Sequence, residues 1–163
     1  MGPFLHEDFL DFIKALNANS VEYIVVGGYA VIFHGYPRTT GDLDVWVNKS
    51  EDNYGRLVNA FNDFKMPVFD MTRENFLINP HLDVFAFGRS PVSIEILNAV
   101  KGLDFAKAHV NAVSKVIDDT PVRFLSHTDL LTAKRAANRP RDINDIEHLQ
   151  GGTGLSTAGK SKD

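Results

Sequence analysis

The chain has 163 residues, 44% of them apolar and 23% charged, the proportions of one ordinary soluble globular domain. Its net charge of −4 speaks against a general nucleic-acid coat, whose duplex-facing surface carries a basic excess. With no cysteine, disulfides, thiolate zinc sites and a cysteine nucleophile are excluded.

The acidic start, Met1 to Asp8, lacks the basic and apolar segments of a secretory signal, and no stretch nears the ~20 apolar residues of a membrane span. A cytoplasmic protein with no membrane contact is therefore expected. Residues 4–17 place Phe4, Leu5, Phe9, Phe12, Ile13 and Leu16 near helical spacing. Residues 22–26, ending in β-branched Ile24, Val25 and Val26, run into Gly27-Gly28, which predicts a buried strand ending in a tight turn. A helix over 28–34 stops near Gly35 and Pro37, with His34 a cation suited to its C-terminal dipole. Residues 42–47 alternate, with Leu43, Val45 and Val47 on one face and Asp42, Asp44 and Trp46 on the other. Ser50 caps a helix to about Phe64, and 67–80 reads as irregular. Strands at 82–87 and 92–97 form a hairpin around Gly88 to Pro91. A short helix at 103–109 precedes strands at 113–117 and 121–125 around Asp118-Asp119. Ser126 and Asp129 open a helix to about Asn138, and Pro140 starts a last one over 141–149. Phe61, Phe64, Phe69, Phe76, Phe85 and Phe87 are expected in the core. The sum is an α+β domain over residues 1–150; the Gly/Ser/Thr/Lys-rich segment 151–163 is expected to be a disordered tail.

The chemistry concentrates between Val25 and Trp46. Gly27-Gly28 at a helix start offers unpaired N–H groups to phosphate, or is a plain strand-to-helix turn. Asp42 and Asp44, two apart on a strand, put two carboxylates on one face, where their repulsion invites a cation. Oxygen-only ligands suit Mg²⁺. Glu95, flanked by isoleucines, is the best third carboxylate; Asp83 and Asp70 compete. Lys134 reads either as a functional cation or as a surface lysine lying over Leu130, Leu131 and Ala137. Asp142 and Asp145, at a helix start, are either functional or simply favoured there by the dipole. Arg139 and Arg141 are expected to pair with them. Tyr36 and Trp46 are candidates for stacking on a base, against packing in the fold.

Val26-Gly27-Gly28, Asp42-Leu43-Asp44 and Ile94-Glu95-Ile96 together resemble the signature of the nucleotidyltransferase superfamily, the DNA polymerase beta-like fold. Gly27-Gly28-Tyr29-Ala30 followed by Arg38-Thr39-Thr40-Gly41-Asp42-Leu43-Asp44 is similar to the variant of small bacterial proteins related to the AbiEii toxins of type IV toxin–antitoxin systems. Lys134 on a helix, then Arg139-x-x-Asp142-x-x-Asp145, resembles the same group, and the likeness spans about residues 6–149. It implies a mixed β-sheet flanked by helices, with C-terminal helices packed on the core. It implies Mg²⁺-dependent transfer (Mn²⁺ being the alternative ion) of a nucleoside monophosphate from an NTP to a hydroxyl of RNA, protein or a small molecule. A cognate toxin or antitoxin partner follows from the same likeness. Asp42, Asp44 and Glu95 would hold the metal, and Glu95 would also polarise the acceptor hydroxyl. Gly27 and Gly28 would contact the triphosphate, Lys134 would face it, Arg38 and Thr40 would bind phosphate or order their loop, and Asp142 would match an acid near the site. Tyr29 stands where many such transferases have Ser or Thr. The alternative is a catalytically silent nucleotide- or protein-binding module, which a pocket blocked by Tyr29 would favour.

Overall fold

The computed structural model describes residues 5–89 and 92–155. Helix α1 (Glu7–Ala18) begins at His6, whose Nδ1 accepts from the Asp8 N–H, and buries Phe9, Phe12, Ile13 and Leu16. Strand β1 (Tyr23–Val26) is buried along its whole length and passes directly into α2 (Gly27–Phe33). Strand β2 (Asp42–Val47) is followed by α3 (Glu51–Asp63), where Ser50 Oγ accepts from the Asn53 N–H as expected of a cap. The segment read as irregular contains a short helix, α4 (Arg73–Leu77). Its five residues are too few to show a period; what defines it is the Thr72 cap on the Asn75 N–H and the buried ring of Phe76.

Strands β3 (Val84–Arg89) and β4 (Val92–Leu97) pair antiparallel, the tip of their expected turn at residues 90–91 lying outside the described residues. Helix α5 (Phe105–Asn111) precedes β5 (Val113–Ile117) and β6 (Thr120–Phe124). These two strands are joined through Asp118 and Asp119, both left-handed at φ 47° and 62°. Ser126 Oγ accepts from the Asp129 N–H to open α6 (His127–Ala137), which Asn138 ends at φ 51°. Helix α7 (Pro140–Leu155) continues past the domain boundary expected at 150, and the rest of the expected tail, 156–163, lies outside the described residues.

The six strands form one mixed sheet in the order β3-β4-β2-β1-β6-β5, with β2/β4 and β1/β6 parallel and the other pairs antiparallel. Its two faces carry separate cores. Leu43, Val45 and Val47 enter one, with α1 and α3 residues such as Phe12 and Phe61. Trp46 enters the other with Ile24, Val26, Leu125, Leu130 and Leu149, and its ring meets Phe105 edge-on at 5.1 Å. Trp46 is therefore a packing residue rather than a base-stacking one. Phe61, Phe76, Phe85 and Phe87 are buried as expected, and Phe64 partly so. Phe69 is not: it is 67% exposed at φ 47°, in a turn whose backbone carries the ring outward. His34 caps α2, but burial lowers its pKa, aided by His127, and outweighs the hydrogen bond between Nε2 and the Leu125 carbonyl oxygen at 2.6 Å, which favours the cation. Among the described residues no helix is long and apolar enough to cross a membrane.

Candidate active site

The register of β2 against β4 decides which acids meet. Asp44 lies opposite Glu95 and Asp42 opposite Ser93, all on the sheet face that carries Trp46. Ser93 Oγ donates to Asp42 Oδ1 at 2.5 Å. Asp44 sits deeper. Burial, then the charge and hydrogen bond of Glu95, then Asp42, push its pKa up to about 8. Its Oδ1 is buried with no hydrogen-bond partner. The two rival acids do not join this group: Asp83 is exposed just before β3, and Asp70 is exposed in the turn after α3.

The two glycines are explained by these neighbours. Gly27 has φ 67°, and a Cβ built on it would stand 2.0 Å from Asp44 Oδ2. A Cβ on Gly28 would stand 2.6 Å from Thr40 Oγ1. Only a side-chain-free turn lets β1 enter α2 this close to the acidic strand. Thr40 Oγ1 in turn accepts from the Asp42 N–H at 3.4 Å, which ties the loop to the start of β2.

Opposite the acids, α6 and α7 supply a basic wall. Lys134 is buried, with Nζ 2.9 Å from Asp145 Oδ2 and 3.3 Å from Asp142 Oδ1. It is therefore not a surface lysine. Both aspartates are fully buried. Arg38 reaches Asp145 from the α2–β2 loop at 3.2 Å, and Arg139 Nε donates to Asp142 Oδ2 at 2.6 Å. Burial opposes ionisation of Asp142, but the Arg139 guanidinium and backbone N–H, with Lys134, outweigh it and hold the pKa at about 2. Asp145 is the residue that sequence reasoning undervalued. Its position at a helix start offered a sufficient local reason for an acid, and only the packing of the loop onto α7 shows that it carries two cations.

Gly27, Gly28, Arg38, Thr40, Asp42, Asp44, Glu95, Lys134 and Asp142 all line one cleft of about 360 Å³. Lys101, Arg139 and Arg141 add cations to its walls. Tyr29 is not among the lining residues; it is buried in the core, its ring edge-on to Phe9 at 5.7 Å. Tyr36 stacks on His148 at 3.9 Å and accepts from Asn144 Nδ2, docking the α2–β2 loop onto α7 rather than offering itself to a base. Among the described residues no three His, Asp or Glu side chains already form a metal-holding group. The donor chemistry nonetheless fits a hard divalent cation: the side chains are carboxylates, and the buried Asp44 carries an unpartnered oxygen and a crowded acid beside it. The cleft thus joins an acidic floor to a basic wall, an arrangement suited to a metal-bound polyphosphate.

The fold has a known counterpart. The solution structure of the antibiotic-resistance factor ANT(2'')-Ia aligns over 92% of this chain and 85% of its own, at TM-score 0.54 and 14% identity. An antigenic nucleotidyltransferase-like protein from Paracoccidioides brasiliensis aligns over 91% of this chain and 78% of its own, at TM-score 0.49 and 17% identity. No curated protein matches the sequence. Residues 7–150 match the family described as nucleotidyltransferase of unknown function (DUF6036), and the chain belongs to that family.

Proposed function

We propose that this nucleotidyltransferase moves a nucleoside monophosphate from a Mg²⁺-bound NTP to an acceptor hydroxyl, releasing pyrophosphate. The observation that carries the reading is the single cleft with Asp42, Asp44 and Glu95 on one wall and Lys134, Arg38 and Arg139 on the other. Asp42, Asp44 and Glu95 are the residues that would hold the ion. When bound, a divalent cation neutralises the triphosphate and lowers the pKa of the attacking hydroxyl. Lys134, fixed between two buried aspartates, presents its charge to phosphate without reorganising, which is the condition for electrostatic catalysis. Arg38 brings the α2–β2 loop to the same point. Glu95, opposite Asp44 on the neighbouring strand, is the acid that would take the hydroxyl proton. The buried position of Tyr29 removes the feature that would favour a silent binding module.

Calorimetric titration of the four NTPs, with and without Mg²⁺, tests this on wild type and on Asp42→Ala/Asp44→Ala. Mg²⁺-dependent binding of at least one NTP, abolished in the double variant, is expected. Failure of a folded wild type to bind any NTP overturns the reading, as does full binding by the variant. The likeness to AbiEii toxins predicts a toxin half of a pair: expression in bacteria arrests growth, and the double variant does not.

A further inference from the structure

We infer that the acceptor hydroxyl belongs to an extended polypeptide segment that lies as an added strand along the open edge of β3; this rests on the nucleotidyl transfer proposed above. Among the described residues, strand β3 is the last in the sheet and pairs on one side only, with β4. The other side of such a strand presents backbone N–H and C=O groups that an incoming strand can take. The register carries this edge to the chemistry: Ala86 lies opposite Glu95, which lies opposite Asp44. Ala86 is small and exposed, so a side chain from an added strand can cross it towards Glu95.

A second cavity, of about 380 Å³, runs beside this edge and is walled by Phe69, Met71, Phe85 and Phe87. Val84, 47% exposed, lines both this groove and the cleft of the acids, so the two adjoin there. Phe69 offers the groove a large ring that is outside the core. Among the described lining residues the groove's charge is that of Asp70 alone, and Asp83 is exposed beside Val84. The cations line the cleft instead: Arg38, Lys101, Lys134, Arg139 and Arg141. An apolar, acidic groove repels a phosphodiester backbone and suits a peptide with apolar and basic side chains.

In the reaction a Ser, Thr or Tyr oxygen of the peptide bonds to the α-phosphorus of the NTP. The bond from that phosphorus to the oxygen bridging to the β-phosphorus breaks, and pyrophosphate leaves with its electron pair. The hydroxyl proton passes to Glu95 and then to solvent, leaving the nucleotide on the side chain through a phosphodiester.

The test uses the full chain, Mg²⁺ and each α-³²P-labelled NTP, with two acceptors. One is an unstructured peptide library in which each member carries one Ser, Thr or Tyr among apolar and lysine residues; the other is bulk tRNA. Label in peptide is expected, with kcat/KM for peptide at least tenfold lower in Val84→Glu and in Phe69→Ala, both exposed positions whose folding is checked by circular dichroism. Label in tRNA and not in peptide overturns the inference, as does peptide labelling indifferent to both substitutions. NTP binding with no peptide labelled also overturns it, while nucleotidyl transfer stands. Absence of NTP binding by the wild type overturns the transfer reading and this inference with it.

Discussion

Asp44 and Gly27 are the positions where single atoms decide most. Asp44 has a folded pKa of about 8 against an ordinary 3.8, so the folded state holds a proton that the unfolded chain has lost. Its favourable contribution is complete below about pH 4 and is lost as the pH rises towards 8. Replacing the acid by a neutral isostere removes that loss. Asp44→Asn is expected to raise Tm at pH 8 by several degrees in EDTA, with little change at pH 4, while abolishing transfer; thermal melts at the two pH values check it. An unchanged Tm at pH 8 would mean that the buried charge is not a cost. Gly27→Ala acts in the opposite direction. The methyl would stand 2.0 Å from Asp44 Oδ2 at φ 67°, so both overlap and backbone strain oppose it. A loss of about 1–3 kcal/mol is expected, which lowers Tm by roughly 2–4 °C per kcal/mol in a chain of this size. Both residues were singled out from the sequence, Gly27 for phosphate and Asp44 for metal. That they touch each other was not legible, because the sixteen positions between them (28–43) hide a loop whose path only packing defines.

The α6–α7 pair is the element that turns a sheet with acids into a cleft. Its sequence signals were strong at the ends, with the Ser126 cap, the Asn138 stop and the Pro140 start all in place. What they did not carry was the ion network between the helices. Lys134, Asp142 and Asp145 are buried together, and removing one partner of a buried pair leaves an uncompensated charge that costs about 3–5 kcal/mol. Asp145→Ala is therefore expected to lower the denaturation midpoint strongly. Asp145→Asn should be milder in stability yet raise KM for NTP, because Lys134 and Arg38 both lose their anchor. Equal KM in the wild type and a folded Asp145→Asn would exclude a positioning role. Asp142 gives an acid limit. Its folded pKa of about 2 lies below the ordinary 3.8, so its contribution is present above about pH 4 and lost as the pH falls through 2. Denaturant titrations between pH 5 and 2 should show stability falling in that window, and the fall should be smaller in Asp142→Asn.

At the scale of the whole molecule, one sheet divides the chain into a storage face and a working face. Leu43, Val45 and Val47 look into one core, and Asp42 and Asp44 look the other way. The alternation that separates them is a property of the strand and was readable residue by residue. The element order, the mixed α+β class and most caps were readable for the same reason: hydrophobic period, cap chemistry and turn residues act within a few positions. The resemblance of three short motifs named the superfamily and the acids. Where the sequence misled, a local rule met a tertiary fact. Phe69 reads as core but stands on a turn that carries it to the rim of a groove. His34 reads as a dipole cation, yet burial lowers its pKa despite the hydrogen bond to the Leu125 carbonyl oxygen. The 67–80 segment hides a five-residue helix too short to have a period. The composition and local pattern of this chain thus determined its elements and the kinds of residue that gather in its cleft. Only the tertiary structure decided that Glu95 rather than Asp83 or Asp70 stands beside Asp44, that Lys134 is buried between two aspartates, and that β3 ends the sheet. Those facts depend on parallel pairing of β2 with β4, on the docking of α7 onto a loop, and on which strand ends the sheet. All three are contacts between segments far apart in the chain, which no local spacing encodes.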